Sequence, residues 1–332
     1  MLKMKFLVVL MILFVIDDTE EFMGTGVFDI NLFRCMLKKE YSCPHEDIDF
    51  VMYTPKQRRG KLINPLDPDS LRRAKFKSYE ETAFIVHGFN GSHVDRHMRY
   101  LRDAYLSRKF NVIMVSWTRL TYYPCYLSAL SNTKLVGQCA AQVYAFLTHH
   151  GQDNQQITCV GHSLGAHICG MVTTHLTTRQ HKIIGLDPAK PLIERQAPRS
   201  YRLTRDDADV VQVIHTNSGG LGQVSFSGSL DLCINGGKQQ PFCKGHIIRR
   251  SRCSHFLSVC YLANAIFKHK IFPAVPCPRG CTKSNRLPVT QITPYGSKLV
   301  QMMHIGQDVP EDTIGGFCVK VDFAKHCPFN DT

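Results

Sequence analysis

The chain is expected to fold as an α/β domain, with a mostly parallel central sheet and helices on both of its faces. Three features predict this. Short β-prone runs alternate with longer helix-like runs through most of the sequence, and strands joined through helices pair in parallel. Gly161-His162-Ser163-Leu164-Gly165 lies between a β-prone stretch, 156–160, and a small, apolar one, 166–172, the setting of a tight strand-to-helix turn. The length of 332 residues, without internal repeats, suits one domain of this class.

The elements follow in order. Met1 to Lys5 is basic, 6–16 is apolar, and an acidic stretch comes next. That pattern predicts a signal peptide over 1–18 and a single domain over 30–332, because the apolar run falls short of the roughly 18 residues of a membrane span. Strand-like runs are expected at 48–53, 82–86, 111–116, 156–160, 182–186 and 210–215, and helix-like runs at 94–107, 134–149, 165–176 and 255–267. Beyond 267 the chain turns rich in Pro, Gly and Cys and ends with short β-like pieces such as 316–323.

The chemistry is expected at the turn. Small residues two before and two after Ser163 let strand and helix approach without a Cβ clash, and its hydroxyl stands clear at the positive end of the next helix. A serine hydroxyl needs a base, and the base needs a third group to fix its tautomer. The acid is expected at Asp187, at the carboxyl end of the apolar run 182–186. The base is expected at His255, which follows Cys253 and Ser254 and opens a helix-like run. The order Ser, Asp, His is that of α/β-hydrolases. Their oxyanion hole uses the N–H after the nucleophile, here Leu164, and a second from a loop after an early strand, here Phe89 in His87-Gly88-Phe89. Taken singly, the three triad candidates also read as a turn serine, an Asp cap before Pro188 and a surface histidine.

The segments HGF at 87–89, GHSLGAH at 161–167, IIGLDPAKP at 183–191, VQVIHTN at 211–217 and CSH at 253–255 occur in this order and spacing. Together they resemble the pancreatic-lipase superfamily of secreted lipases and phospholipases, over about residues 43–282. The resemblance is closest to the short-lid secreted arthropod phospholipases A1, the wasp-venom enzymes among them. Tyr122-Tyr123-Pro124, 131–138 and Cys281-Thr282-Lys283 are similar to further segments of theirs. It implies an α/β-hydrolase fold without a C-terminal β-sandwich, Ser163 as nucleophile, Asp187 as orienting acid, His255 as base and acid, and Phe89 and Leu164 as oxyanion donors. His87, His162 and His167 are expected to hold loops by hydrogen bonds, His215 to pack at a strand end, and Trp117 to lie in the core. In the pancreatic branch a structural calcium sits before the VIHT strand. Here Thr204 takes the place of one expected carboxylate, so no metal and no cofactor are expected.

Fourteen cysteines behind a signal sequence point to disulfides in an oxidising compartment and to a secreted, extracellular protein. Cys277 and Cys281 could be half of a zinc site, but without a second pair nearby a local disulfide between them is expected. Cys243 with Cys253 follows from local spacing and from the resemblance. The family pattern implies Cys43 with Cys125 and, more loosely, Cys318 with Cys327. Cys159 and Cys169 read as buried thiols.

Substrate class is expected to turn on residues 244–252, which in this family form the lid. Enclosed by Cys243 and Cys253, this segment is too short for a long amphipathic helix, so the site is expected to be open and to suit a polar-headed glycerophospholipid. Ile247 and Ile248 would dip into lipid while Lys244, Arg249, Arg250 and Arg252 meet phosphate. The net charge of +13 agrees, since each basic group near an anionic surface contributes ~1 kcal/mol. The charges are dispersed and no nucleic-acid motif is present, so the expected partner is a phospholipid or other lipid at a membrane or micelle surface, met peripherally by a monomer. The expected reaction is hydrolysis of the sn-1 acyl ester to a lysophospholipid and a fatty acid. The alternatives are a triacylglycerol lipase or galactolipase, and a catalytically silent, yolk-type lipid-binding relative.

Overall fold

A computed structural model describes residue 35 and residues 42–281 and 300–322. The expected signal peptide and the chain beyond 322 lie outside the described residues. Eleven strands form one sheet: β1 Asp49–Thr54, β2 Gln57–Leu62, β3 Thr82–Val86, β4 Asn111–Ser116, β5 Ile157–His162, β6 Gln180–Leu186, β7 Ala208–His215, β8 Leu230–Ile234, β9 Phe272–Pro276, β10 Gln301–Met303 and β11 Gly315–Val319. Their order is β10-β9-β11-β8-β7-β6-β5-β3-β4-β1-β2. From β4 through β11 every pair is parallel, and antiparallel pairs close both ends. The predicted α/β-hydrolase architecture is therefore observed.

Among the described residues five α-helices accompany the sheet: α1 Asp69–Arg73, α2 Arg96–Ser107, α3 Tyr126–His149, α4 Leu164–Thr173 and α5 Ile247–Lys268. Alternate side chains of one strand feed opposite cores, as the period of two requires. Phe84 and Val86 of β3 pack with α3 and α4, whereas Ala83 and Ile85 pack with α2 and α5. Trp117 is fully buried in the first of these cores, as expected.

Two helices start earlier than the sequence suggests. α3 begins directly after Pro124, which ends the preceding turn, and α5 begins at Ile247, inside the segment read as the lid. β2 was not anticipated, because it is an exposed hairpin edge whose basic residues carry no apolar alternation.

The cysteines correct several expectations. Cys43 bonds Cys139 rather than Cys125, and Cys125 bonds Cys35. Cys139 lies on the core-facing side of α3, against which Cys43 packs. Cys159 and Cys169 are joined rather than thiols, because α4 lies directly on β5 and brings them together. Cys281 reaches Cys233 on β8, leaving Cys277 a buried thiol and no local bridge between Cys277 and Cys281. Cys318 is also a buried thiol, so the Cys318–Cys327 bond is not made. Cys260 is disulfide-bonded, and Cys243–Cys253 forms as expected.

Candidate active site

β5 ends at His162 and α4 begins at Leu164, so Ser163 alone makes the turn, with φ 57° and ψ −119°. A non-glycine residue at such a φ is strained and persists only where its surroundings impose it. An ideal Cβ on Gly165 would lie 2.2 Å from the Val86 carbonyl oxygen, and one on Gly161 2.2 Å from that of Gly165. Strand, helix and the neighbouring β3 are thus in backbone contact at the turn. The loop that leaves β3 lies against the serine, for a Cβ on Gly88 would be 3.2 Å from Ser163 Oγ. Phe89 is next in that loop and packs edge-on against Tyr126 at 5.0 Å. Tyr126 donates to the Pro191 carbonyl at 2.9 Å, and the Asn90 side chain accepts from the Tyr123 amide. The predicted oxyanion residues Phe89 and Leu164 therefore flank Ser163 on two fastened segments.

Asp187 is fully buried at the end of β6. Its Oδ1 accepts the amides of Thr216 and Asn217, both at 2.9 Å, and its Oδ2 lies 2.6 Å from His255 Nδ1. Gly222 rests on the carboxylate, where an ideal Cβ would come within 2.4 Å of Oδ1. The acid is thus held by three donors, and its position fixes the His255 tautomer with the proton on Nδ1. His255 Nε2 is then the basic nitrogen. The 2.6 Å spacing suits a charge-assisted bond.

The other histidines hold loops, as expected. Trp117 donates its amide to His87 Nε2 at 3.2 Å and its indole N–H to the His87 carbonyl at 2.9 Å. The Leu203 amide donates to His167 Nδ1, and His167 Nε2 bonds the Ala189 carbonyl. His162 Nε2 lies 3.3 Å from the His255 carbonyl, and its ring is 4.6 Å from the His255 ring. Burial holds His87 and His167 down to about 4 and His97 down to about 3, and holds His162 well below the usual imidazole range. Above pH ~6.5 these rings are neutral in both the folded and the unfolded chain. Below it the unfolded chain binds protons that the folded one refuses, so stability falls with pH from ~6.5 toward 4. Asp207, Glu81 and Asp95 act in the opposite sense, because burial raises their carboxyls, that of Asp207 to about 6, but burial also lowers His93 and His175, and the histidines outnumber them. Tm is expected to decline steadily on acidification through that window, and a flat Tm from pH 7 to 4.5 would contradict neutral buried histidines.

His215 bonds Asp231 at 2.8 Å, both buried, and Phe226 packs on its ring. Asp231 also accepts the amides of Ser227 and Gly228. This second imidazole–carboxylate pair secures the end of β7, from which Thr216 and Asn217 reach Asp187. Asn217 was not singled out from the sequence, yet its side chain also accepts from Ser251 Oγ at 2.7 Å and from the Leu221 amide. Ser251 lies in the segment expected as the lid, so that segment is fastened to the loop that cradles Asp187.

The lid differs in form from the expectation. Cys243 and Cys253 close it, but residues from Ile247 onward are already the first turns of α5, the helix that carries His255. Ile247 is 73% exposed. Ile248 and Arg250 are half-buried, and Lys244 and Arg249 are exposed. The region of the implied calcium does not fit the ion. Asp206 pairs with Arg199, and Asp207 accepts the Thr204 amide at 2.7 Å, so both carboxylates there have protein donors.

Comparison with known proteins gives the family of the chain. The family model described as Lipase matches residues 29–282. Pancreatic lipase-related protein 2 of Rattus norvegicus is 32% identical over 70% of this chain and 54% of its own length. Inactive pancreatic lipase-related protein 1 of Canis lupus familiaris is 28% identical over 79% of this chain and 59% of its own. The chain thus spans about half the length of the curated relatives it matches. Among solved structures, ferulic acid-bound Est1E from Butyrivibrio proteoclasticus aligns with a TM-score of 0.33 at 12% identity, over 51% of this chain and 74% of that one.

Proposed function

The chain belongs to the lipase family, within the pancreatic-lipase superfamily, and from that premise we propose that it is a secreted serine esterase that hydrolyses the sn-1 acyl ester of glycerophospholipids. The observation that carries the esterase reading is the buried Asp187, gripped by two amides and bonded to His255 at 2.6 Å, next in the chain to Leu186, whose carbonyl accepts the amide of the strained elbow serine at 3.0 Å. His255 Nε2 takes the Ser163 proton as Oγ attacks the ester carbonyl, and the N–H groups of Phe89 and Leu164 hold the oxyanion. His255 returns the proton to the departing lysophospholipid. Water, deprotonated by the same nitrogen, then releases the fatty acid from the acyl-enzyme. Each oxyanion donor contributes ~10²–10³ in rate.

The choice of phospholipid rests on the lid and its surroundings. A lid pinned by Cys243–Cys253, by the Ser251–Asn217 bond and by continuity with α5 has little freedom to swing over an acyl pocket. Of the exposed apolar residues, Val94, Tyr123, Leu127, Val224, Phe242 and Ile247 lie on connections leaving the carboxyl ends of the parallel strands or in the first turn of the helix that follows, at the edge that bears the triad. Lys238, Lys244, Arg249 and Arg252 fall in the same stretch of chain as Phe242 and Ile247, a combination suited to an anionic lipid surface. Among the described residues no helix is long and apolar enough to cross a membrane, which accords with peripheral contact. The disulfides fit an oxidising, extracellular setting.

The test is specific activity on phosphatidylcholine vesicles, read as sn-1 fatty acid, against a triglyceride emulsion and a galactolipid dispersion. Higher activity on the vesicles is expected. Greater activity on the emulsion or the galactolipid would make the chain a lipase or galactolipase. No turnover on any of them would place it with the silent relatives, one of which bears the name inactive.

A further inference from the structure

Three sulfurs meet on one face of the sheet, at its β9 end. Cys233 on β8 and Cys318 on β11 are register partners in the parallel ladder, and Cys318 stands opposite Val275 of β9. Cys277 follows β9, and its amide donates to the Gly316 carbonyl at 2.8 Å, so the antiparallel ladder continues through it. Side chains alternate along a strand, so Cys277 shares the face of Val275, and with it that of Cys318 and Cys233. Their Sγ atoms all lie within 4.8 Å of one another. Cys233 is already bonded to Cys281, whereas Cys277 and Cys318 are buried thiols packed with Val275 and Phe226.

We propose that Cys277 and Cys318 are a site of oxidative cross-linking, forming a further disulfide that ties the segment leaving β9 to β11. The described residues already contain five disulfides, so the chain matures where thiols are oxidised. Two thiols held within reach of each other do not persist there. The reaction is exchange with a low-molecular-weight or carrier-protein disulfide. One cysteine thiolate attacks that disulfide to give a mixed disulfide, and the second cysteine displaces the carrier sulfur. The Cys277–Cys318 S–S bond forms, the carrier S–S bond breaks, and the two protons and two electrons lost by the cysteines end on the two carrier thiols. The competing step, attack of Cys318 on Cys233, would expel Cys281 and gain no bond.

The cross-link has a structural use. β9 reads Phe-Pro-Ala-Val-Pro, and neither proline can donate to a ladder. Pro273 accepts the Lys320 amide but has no N–H to return to β11, and a covalent bridge supplies what that rung lacks at the sheet end that follows the triad helix.

The test uses the full chain, purified from a secreting host without reductant, alkylated under denaturing conditions and digested for mass spectrometry. A peptide pair linked through Cys277 and Cys318 is expected, with neither cysteine alkylated. Alkylation of both, a Cys233–Cys318 link, or one zinc ion per chain released only by chelator would each overturn the assignment. In Cys277→Ser, Cys318 should become alkylatable, and continued protection would show that it pairs elsewhere. The Cys277→Ser/Cys318→Ser variant is expected to melt lower by about 5 °C, and an unchanged Tm would count against a stabilising bridge.

Discussion

Ser163→Ala is expected to lower kcat/KM on any ester by roughly 10⁴–10⁶-fold, the range seen when a serine nucleophile is removed and binding and the oxyanion hole remain. Ser163 sits at φ 57° because Gly161, Gly165 and Gly88 let three backbones close around it. Alanine meets the same backbone conformation with one atom fewer, so the fold should persist. Tm within about 2 °C of the parent, a small surface-like change, would show that chemistry and not folding was lost. Initial rates on a short-chain ester, with calorimetry on the same sample, separate the two. Turnover within tenfold of the parent would remove Ser163 from the mechanism.

Asp187→Asn is expected to cost about 10⁴-fold in kcat with little effect on KM. The reason lies in how the carboxylate is held. Oδ1 accepts the amides of Thr216 and Asn217 and Oδ2 faces His255 Nδ1. An asparagine must keep its oxygen toward the two amides, since turning the other way would set its NH₂ against two N–H donors. It then presents NH₂ to Nδ1, which has to become the acceptor. The imidazole proton moves to Nε2, and the nitrogen facing the serine is no longer a base. Unchanged kcat, with the variant folded by circular dichroism, would assign the orienting role to another acid. Asp231 is the candidate in that event, because it makes the other buried bond to an imidazole, at 2.8 Å to His215.

That second pair also shows why part of the fold was not legible. β8 reads Leu-Asp-Leu-Cys-Ile and is entirely buried. Its carboxylate breaks the apolar run that would have marked a strand, and His215 on β7 together with the Ser227 and Gly228 amides makes burying it tolerable. Likewise the sequence reading starts α5 at 255 because residues 244–252, enclosed by Cys243 and Cys253, read as a segment too short for a long helix, yet Arg249, Arg250 and Arg252 extend the helix that carries His255. Long basic side chains are compatible with a helix whose outer turns face solvent. The expected Cys243–Cys253 bridge forms, but the Ser251–Asn217 bond that ties the segment between them to the loop at Asp187 was not legible in the sequence.

The sequence by itself determined six neighbouring strands of the sheet, β1 and β3 to β7, the elbow and the identities and order of the three candidate catalytic residues. Those features are local: a turn this tight admits only small neighbours, and a strand end places whatever residue follows it. The tertiary structure alone decided the cysteine partners other than Cys243–Cys253, the amides that grip Asp187 and the fastening of residues 244–252 through Ser251. Each of these depends on segments far apart in the chain coming within bonding distance, and no spacing along a sequence specifies which distant segments pack together.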